Sequence, residues 1–558
     1  MSAKYQPPAP VKLPARQWAD RQITAAPRWA SVDLRDGNQA MPAPLSPAEK
    51  LAFFQLLVDV GFKEIEVAYP SASRDDFAFT RRLIDGNFIP PDVRVAVLAP
   101  CKKDLIARTF AAVRGAPTAL IHLYLAVSDL HLQTVLNLSR DAALRLAVEA
   151  TRHARDLARA QPATDFRYEF SPEEFTDADP DFALTLCTAV FEAWGESKPI
   201  IINLPATVER RGPNQFADLV EYFCAKFPYR DRAIISLHPH NDQGMATAAA
   251  ELGLLAGGER LEGTLFGAGE RTGNLDLITF AGNLLARGID PTLDLSRLPT
   301  LVERVQTLTG MTVYPRLPYS GELAFTAFSG THQDAIRKGM ARRGGASAAW
   351  RVPYLHVDPS DFGRTYERLI RLTPQSGKGG AAWVLEQNFG IKLPPEFLPA
   401  LGRTVQKYLD RAGGELSPID LHEIFIKEFV NPAGPYQLAG YWSNPDAENP
   451  LRIHGVARLK INDEEREGRA DGNGPVSAFV GAIQTLVAEK IALADYQQMS
   501  IDAGADARAL SCVTLKCGDA VAHGIGINTN TTQATVRAVV AALNRAIRVE
   551  NLELSVES

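Results

Sequence analysis

Short apolar, β-branched runs recur along the first 300 residues, and most are followed by a longer stretch of helical period. Trp29-Ala30-Ser31-Val32-Asp33-Leu34 is the first of them. Glu64-Ile65-Glu66-Val67-Ala68 follows, then Val93 to Leu98, Ala119 to Leu125 and Phe166 to Phe170. Pro199 to Leu204, Ile234 to Leu237 and Leu261 to Leu265 complete the set. Runs this short suit buried strands. Helices are predicted between them at Ser46 to Val60, with Pro47 in the first turn and Gly61 just past the end, and at Ala142 to Ala158 and Pro213 to Phe227. Eight strand and helix alternations in about 270 residues are the count and length of a (β/α)8 TIM barrel, here assigned with its Pro-rich N-terminal arm to residues 1–300. An open doubly wound sheet is the competing topology, but no strand-linked Gly-x-Gly-x-x-Gly opens a helix early in the chain.

Residues 301–430 change to a helical and loop-like pattern, expected to form small helical subdomains. Ser329-Gly330-Thr331-His332-Gln333-Asp334 opens one helix and Gly363-Arg364-Thr365-Tyr366 another. Residues 431–450, rich in Pro, Gly and Asn, predict a linker. From 451 to 558 the chain repeats itself. Val456-Ala457-Arg458-Leu459-Lys460-Ile461-Asn462-Asp463 matches Cys512-Val513-Thr514-Leu515-Lys516-Cys517-Gly518-Asp519, and each leads into a Gly-x-Gly, Gly472 and Gly474 in one copy, Gly524 and Gly526 in the other. The expectation is a pseudo-symmetric α+β domain that binds or assembles, with those glycines as candidate regulatory positions. The fold class is therefore α/β, a barrel followed by helical subdomains and a C-terminal α+β domain with an internal repeat.

Composition narrows the partners. A net charge of −6 with 22% charged residues leaves no basic excess for nucleic acid. The sequence contains no apolar run of membrane-spanning length and no signal-peptide core at its start, so a cytoplasmic protein is expected. Five scattered cysteines without a Cys-x-x-Cys suit a reducing compartment.

In a barrel of this type the chemistry sits at the C-terminal ends of the strands. Polar clusters fall there: Arg35-Asp36 after the first strand, His122 in the fourth, Ser171 and Glu173 after the fifth, Thr207 after the sixth. His238 and His240 close the seventh and Glu270-Arg271-Thr272-Gly273-Asn274 follows the eighth, with His122, Ser171, Glu173 and Thr207 as candidate substrate contacts. Side chains two apart on a strand share a face, so His238 and His240 point the same way. A bare His-x-His is more often a hydrogen-bonded pair than a metal site. With Asp36 and Asn274, however, the set supplies two nitrogens and two oxygens, which suits Mg, with Mn, Zn or Co also fitting. An open cation of this kind polarises the carbonyl of a 2-oxo acid. Arg35 is placed to hold the charge that develops on its oxygen, and Glu270, His332 and Tyr366 are candidates for the base. A carbon-carbon lyase on the same barrel, a metal-dependent hydrolase and a non-catalytic amino-acid sensor are the other classes these residues leave open.

These segments together resemble the 2-isopropylmalate synthase family in its longer form, related to the homocitrate and citramalate synthases. The marks are Ser31-Val32-Asp33-Leu34-Arg35-Asp36-Gly37-Asn38-Gln39, Asn203-Leu204-Pro205-Ala206-Thr207-Val208-Glu209, His238-Pro239-His240-Asn241-Asp242, Gly269-Glu270-Arg271-Thr272-Gly273-Asn274 and Ser329-Gly330-Thr331-His332-Gln333-Asp334-Ala335. The resemblance implies condensation of acetyl-CoA with 2-oxoisovalerate and a divalent metal on Asp36, His238, His240 and Asn274. It further implies Arg35, Thr207 and Glu173 on substrate, and a homodimer in which the partner subunit supplies His332 and Tyr366. The C-terminal domain is expected to sense leucine. Ala68-Tyr69-Pro70 stands where Gly-Phe-Pro is usual in the family, Ala99-Pro100 where Thr-Gln is usual and Leu125 where Asn is usual. Gln243 replaces an arginine, and Tyr314 and Leu317 replace histidines. A sister activity on another 2-oxo acid or acyl-CoA, of the citramalate or homocitrate synthase type, is the alternative.

Overall fold

The computed structural model describes residues 8–41, 43–195, 198–344, 349–366, 372–373, 378–412, 414–504 and 506–554. Eight parallel strands close in sequence order into a barrel: β1 (Arg28–Ser31), β2 (Glu64–Ala68), β3 (Arg94–Pro100), β4 (Thr118–Ala126), β5 (Asp165–Glu173), β6 (Ile200–Ala206), β7 (Ala233–Pro239) and β8 (Arg260–Gly263), with β8 pairing back onto β1. The expected TIM barrel is therefore the fold. Local chemistry sets its elements. The first barrel helix, Pro47–Val60, starts on a capping box in which Ser46 and Glu49 satisfy each other's backbone N–H groups. It stops at Gly61, whose φ of +115° a side chain would resist.

The strands are sealed outside by apolar helix faces, with Phe53, Phe54, Phe110, Phe216 and Phe280 buried. The inside differs: a small apolar cluster of Ala96, Leu120 and Ile201, with Ile234 against it, shares the interior with charge. Arg260, 2% exposed at its side chain, donates to Glu64 at 2.7 Å, Glu169 at 3.0 Å, Ser236 at 2.8 Å and Glu262. Carboxylates this deep persist only when paired and hydrogen-bonded.

Contacts divide the chain into two units, one running to Ala324 with Ser360–Arg364, the other formed by Phe325–Pro359 and the chain from Thr365 onward. Helices Gly330–Ala341, Lys378–Phe389, Leu398–Ala412 and Pro418–Phe425 belong to the second. Residues 367–371, where a helix was expected to continue from Tyr366, lie outside the described residues. Residues 431–450 differ from the expected linker, because they contain β9 (Tyr436–Pro445). Their Asn, Pro and Gly residues gather at the two ends, while Tyr436, Tyr441 and Trp442 between them favour a strand. β9 pairs with β10 (Ile453–Ile461), and β10 with β11 (Glu464–Gly472). A second antiparallel trio follows, β12 (Ile491–Ser500), β13 (Ala509–Cys517) and β14 (Ala520–Asn528). Each trio leads into a helix, Pro475–Gln484 or Thr531–Leu554, which is the internal repeat read from the sequence.

Candidate active site

The chain leaves β1 through one wide turn, Asp33–Gly37, in which the N–H groups of Asp36 and Gly37 both reach Val32 O, at 2.9 and 3.2 Å. The turn brings the adjacent residues Arg35 and Asp36 to the same mouth of the barrel, with Arg35 Nη1 3.1 Å from Asp36 Oδ1. At the end of β7, His238 Nε2 lies 3.2 Å from Asp36 Oδ2 and 2.9 Å from Asn274 Oδ1. His240, held by a backbone bridge to Asn274, places its Nε2 3.7 Å from the same Asp36 oxygen. The four residues expected as metal ligands thus converge. Among the described residues, Asp36, His238 and His240 form the His/Cys/Asp/Glu cluster able to hold a cation, their ligand atoms all within 4.8 Å of one another.

The surroundings fit a cation. His240 is buried, its Nδ1 has no hydrogen-bond partner, and burial together with the charge of His238 lowers its pKa to about 4, which keeps the ring a neutral donor. Burial alone would lower His238 as well, but hydrogen bonds to Asp36 and Glu262 outweigh it and raise the ring to about 10. A proton there does what a cation would do between the same oxygens. Burial opposes ionisation of Asp36, yet Arg35 and the two histidines hold it well below the usual carboxylate range. Glu262 Oε2, 2.8 Å from His238 Nδ1, fixes the ring so that Nε2 faces inward.

Following the hydrogen bonds outward closes a loop. Arg35 Nε donates to Glu66, whose other oxygen accepts from His122 Nδ1 at 2.6 Å. His122 Nε2 is 2.7 Å from Ser171 Oγ, which accepts from Asn203 Nδ2 at 2.9 Å. Asn203 Nδ2 reaches Glu262 at 3.3 Å, and Glu262 returns through His238 to Asp36 and Arg35. Eight side chains from seven strands or strand ends form one ring around the barrel axis. His122 and Ser171, expected from sequence as substrate contacts, sit in this ring and also line the cavity it encloses.

That cavity has a volume of about 190 Å3. Arg35, Asp36, His238, His240, Glu173, Thr207 and Glu270 line it, while Tyr69, Leu98 and Tyr124 supply an aromatic and aliphatic part of its wall. Tyr69 and Tyr124 meet edge to face with their hydroxyls 3.3 Å apart. Burial raises the Glu173 carboxyl above its ordinary range. Thr207 Oγ1 accepts the Glu174 N–H at 2.9 Å. Glu270 is exposed on the rim, in a loop tied down by Arg271 to Asp242 at 2.6 Å. That loop requires Gly273, where φ is +96° and a Cβ would lie 1.9 Å from Gly267 O.

Of the positions where this sequence departs from the family pattern, only Tyr69 lines the cavity. Leu125 is buried elsewhere, and Gln243 donates from Nε2 to Glu209 O at 2.7 Å. Tyr314 and Leu317 line a separate cavity of about 300 Å3.

His332 and Tyr366 belong to the second unit. His332 stacks on Tyr354 with ring centroids 4.0 Å apart, and Tyr366 Oη donates to Asp358 at 2.8 Å and accepts from Arg343 at 2.6 Å. In the C-terminal domain, a Cβ on Gly472, Gly524 or Gly526 would come within 1.9–2.4 Å of backbone atoms of the helix that follows, so these glycines allow helix to lie on strand. Gly474 has open space around it.

Sequence reasoning passed over Glu66, Asn203 and Glu262, although each carried a signal: Asn203 is the polar residue of an otherwise apolar strand, and Glu66 and Glu262 each lie two residues after another charged residue, Glu64 or Arg260, on a fully buried strand.

Three family matches cover the chain: HMGL-like over residues 26–305, the post-catalytic domain of alpha-isopropylmalate synthase over 322–386, and the LeuA allosteric (dimerisation) domain over 415–547. The chain is 42% identical to a 2-isopropylmalate synthase of Acetoanaerobium sticklandii over 98% of its length and 96% of the relative's. It is 44% identical to that of Azotobacter vinelandii over 98% and 97%. Among solved structures it is similar to a hydroxymethylglutaryl-CoA lyase from Pseudomonas aeruginosa, at 22% identity and a TM-score of 0.43 over 52% of this chain and 95% of that one. With these relatives matched along almost their whole length, the chain belongs to the 2-isopropylmalate synthase family of acyl-CoA:2-oxo acid condensing enzymes.

Proposed function

We propose that the chain condenses acetyl-CoA with 2-oxoisovalerate to give 2-isopropylmalate and CoA, using a divalent cation, Mg by preference, on Asp36, His238, His240 and Asn274. The observation that carries this reading is the meeting of those four side chains beside Arg35 in one cavity. A bound cation supplies Lewis acidity, fixing the 2-oxo acid and polarising its ketone. Arg35, buried and aimed by Glu66 and Asp36, holds the negative charge that builds on the ketone oxygen. Thr207 and Glu173 contact the substrate from the ends of β6 and β5. A proton leaves the acetyl methyl, the resulting carbanion forms the new bond to C2, and water then cleaves the thioester, releasing CoA. Glu270 on the rim, with His332 and Tyr366 of the partner subunit, forms the relay that accepts the methyl proton.

The wall favours an uncharged acceptor side chain. Its guanidiniums are Arg35, assigned to the ketone oxygen, and Arg271, paired with Asp242, so neither is left for the distal carboxylate of 2-oxoglutarate. The match to an allosteric dimerisation domain supports a homodimer with leucine as feedback effector. CoA release measured with Mg across a panel of 2-oxo acids and acyl-CoAs tests the reading. Preference for 2-oxoisovalerate with acetyl-CoA upholds it, and preference for pyruvate or another acyl-CoA replaces it with a sister activity.

A further inference from the structure

The barrel carries a second charged cavity at the opposite, N-terminal ends of its strands, with a volume of about 510 Å3. Five arginines line it: Arg28 and Arg94 as the first residues of β1 and β3, Arg167 near the start of β5, and Arg230 and Arg232 on the turn entering β7. Three carboxylates share the wall, so the lining alone is cationic by two charges. Glu64 is shared between Arg260 at 2.7 Å and Arg94 at 3.7 Å, and Glu259 pairs with Arg230 at 3.0 Å.

Three of the guanidinium groups are held in place and partly desolvated, while Arg28 and Arg232 are exposed at the rim. The side chains of Arg94, Arg167 and Arg230 are 28%, 29% and 32% exposed. Arg230 is pinned by the carbonyls of Ala233 and Gly257 at 3.0 and 2.8 Å, and Arg94 by Thr118 Oγ1 at 3.1 Å. Arg167 Nε is a buried donor without a hydrogen-bond partner, its nearest carboxylate oxygen, on Asp165, standing 3.6 Å away. Arg28 has no side-chain acceptor among the described residues. Carboxylates answer Arg94 and Arg167 only at 3.6–3.7 Å, the lining keeps a net positive charge, and Arg167 Nε, without a hydrogen bond, marks where an oxygen of an added anion would lie.

We propose that this cavity binds a small phosphorylated anion. A phosphoryl group offers tetrahedrally arranged oxygens to guanidiniums approaching from several sides, as they do here from four strands, whereas a single carboxylate is planar and satisfies one fork. The volume falls within the range of ligand pockets.

The test is titration calorimetry on the full-length protein at low ionic strength, with CoA held at saturation so that the catalytic mouth is filled. Inorganic phosphate and AMP are the probes, and malonate is the carboxylate control. Saturable binding of phosphate or AMP at one site per chain is expected, and Arg167→Gln and Arg28→Gln should each weaken it about tenfold or more. Phosphate binding as tightly as AMP identifies a bare phosphoryl anion, and tighter AMP a nucleotide; both uphold the site. CoA release in phosphate-free buffer should be unchanged in both variants, which shows that they fold. Absence of saturable binding to about 10 mM, equal binding by the variants, or malonate binding as tightly as both probes overturns the proposal.

Discussion

Asp36 and His238 face each other across the barrel mouth with 3.2 Å between Oδ2 and Nε2, and the same Asp36 oxygen is 3.7 Å from His240. One carboxylate oxygen therefore serves two imidazoles that come from about 200 residues further along the chain. A divalent cation held by these side chains would take the place of a proton.

That replacement has a measurable sign. His238 has a pKa raised to about 10 in the folded, cation-free chain, above the ordinary value of 6.5. The proton therefore adds stability that is fully present below about pH 6.5 and is lost as pH rises through about 10. Cation binding at pH 8 should release about one proton per site, and affinity should rise about tenfold per pH unit from 7 to 9. Calorimetry of Mn binding in two buffers of different ionisation enthalpy measures the release; a value of zero would remove His238 from the ligand set.

His240→Ala should abolish cation-dependent turnover, since it deletes a ligand without touching the ring that holds Arg35. Glu262→Gln keeps all four ligands but loosens His238, and should cost about 10–100-fold in cation affinity. Electron paramagnetic resonance of Mn titrations separates the two, and full activity of a metal-replete His240→Ala would refute the site.

Subunit mixing checks the shared site. Hybrids of His332→Ala with Asp36→Ala chains contain one mouth with all its residues intact, so up to about a quarter to a half of activity should return in purified heterodimers. No recovery in demonstrated heterodimers would place the proton relay within one chain.

Leucine sensitivity should reside in the six C-terminal strands. Because β9 starts at Tyr436, a cut after Pro450 would remove β10 and leave β9 without its neighbour, so the informative deletion removes residues 436–558. Leucine should then no longer inhibit CoA release. Persistent inhibition would move the effector site elsewhere.

Tyr69→Phe removes one of two hydroxyls that now satisfy each other in the cavity wall. The ratio of kcat/KM for branched to unbranched 2-oxo acids is expected to shift about tenfold, within the discrimination one pocket contact supplies. An unchanged ratio across the panel would show that the acceptor side chain lies away from this pair.

The barrel was legible in the sequence because each of its strands is a short apolar run set off from helical stretches, and Glu64–Ala68 was marked to the residue. Asp36, His238, His240 and Asn274 were legible because they sit at strand ends, where polar residues break the apolar pattern. Glu66, Asn203 and Glu262 escaped for the converse reason. They stand inside strands, and alternation cannot distinguish an inward ionic face from an outward solvated one when both faces are buried. β9 was hidden by the turn residues at both its ends. The glycines Gly472, Gly524 and Gly526 were noticed as a repeat, but the helix that needs their missing side chains is visible only in three dimensions.

The closed ring through Arg35, Glu66, His122, Ser171, Asn203, Glu262, His238 and Asp36 constrains how this sequence can change. Each member is bonded to two others, so the effect of replacing one depends on what its two neighbours already are, and paired replacements will not sum. Catalysts of altered chemistry on this barrel should therefore be reached by exchanging adjacent members together, while the wall outside the ring can vary in smaller steps, Leu98 singly and Tyr69 with Tyr124 as a pair. Directed evolution one site at a time would drift along that wall and leave the ring untouched.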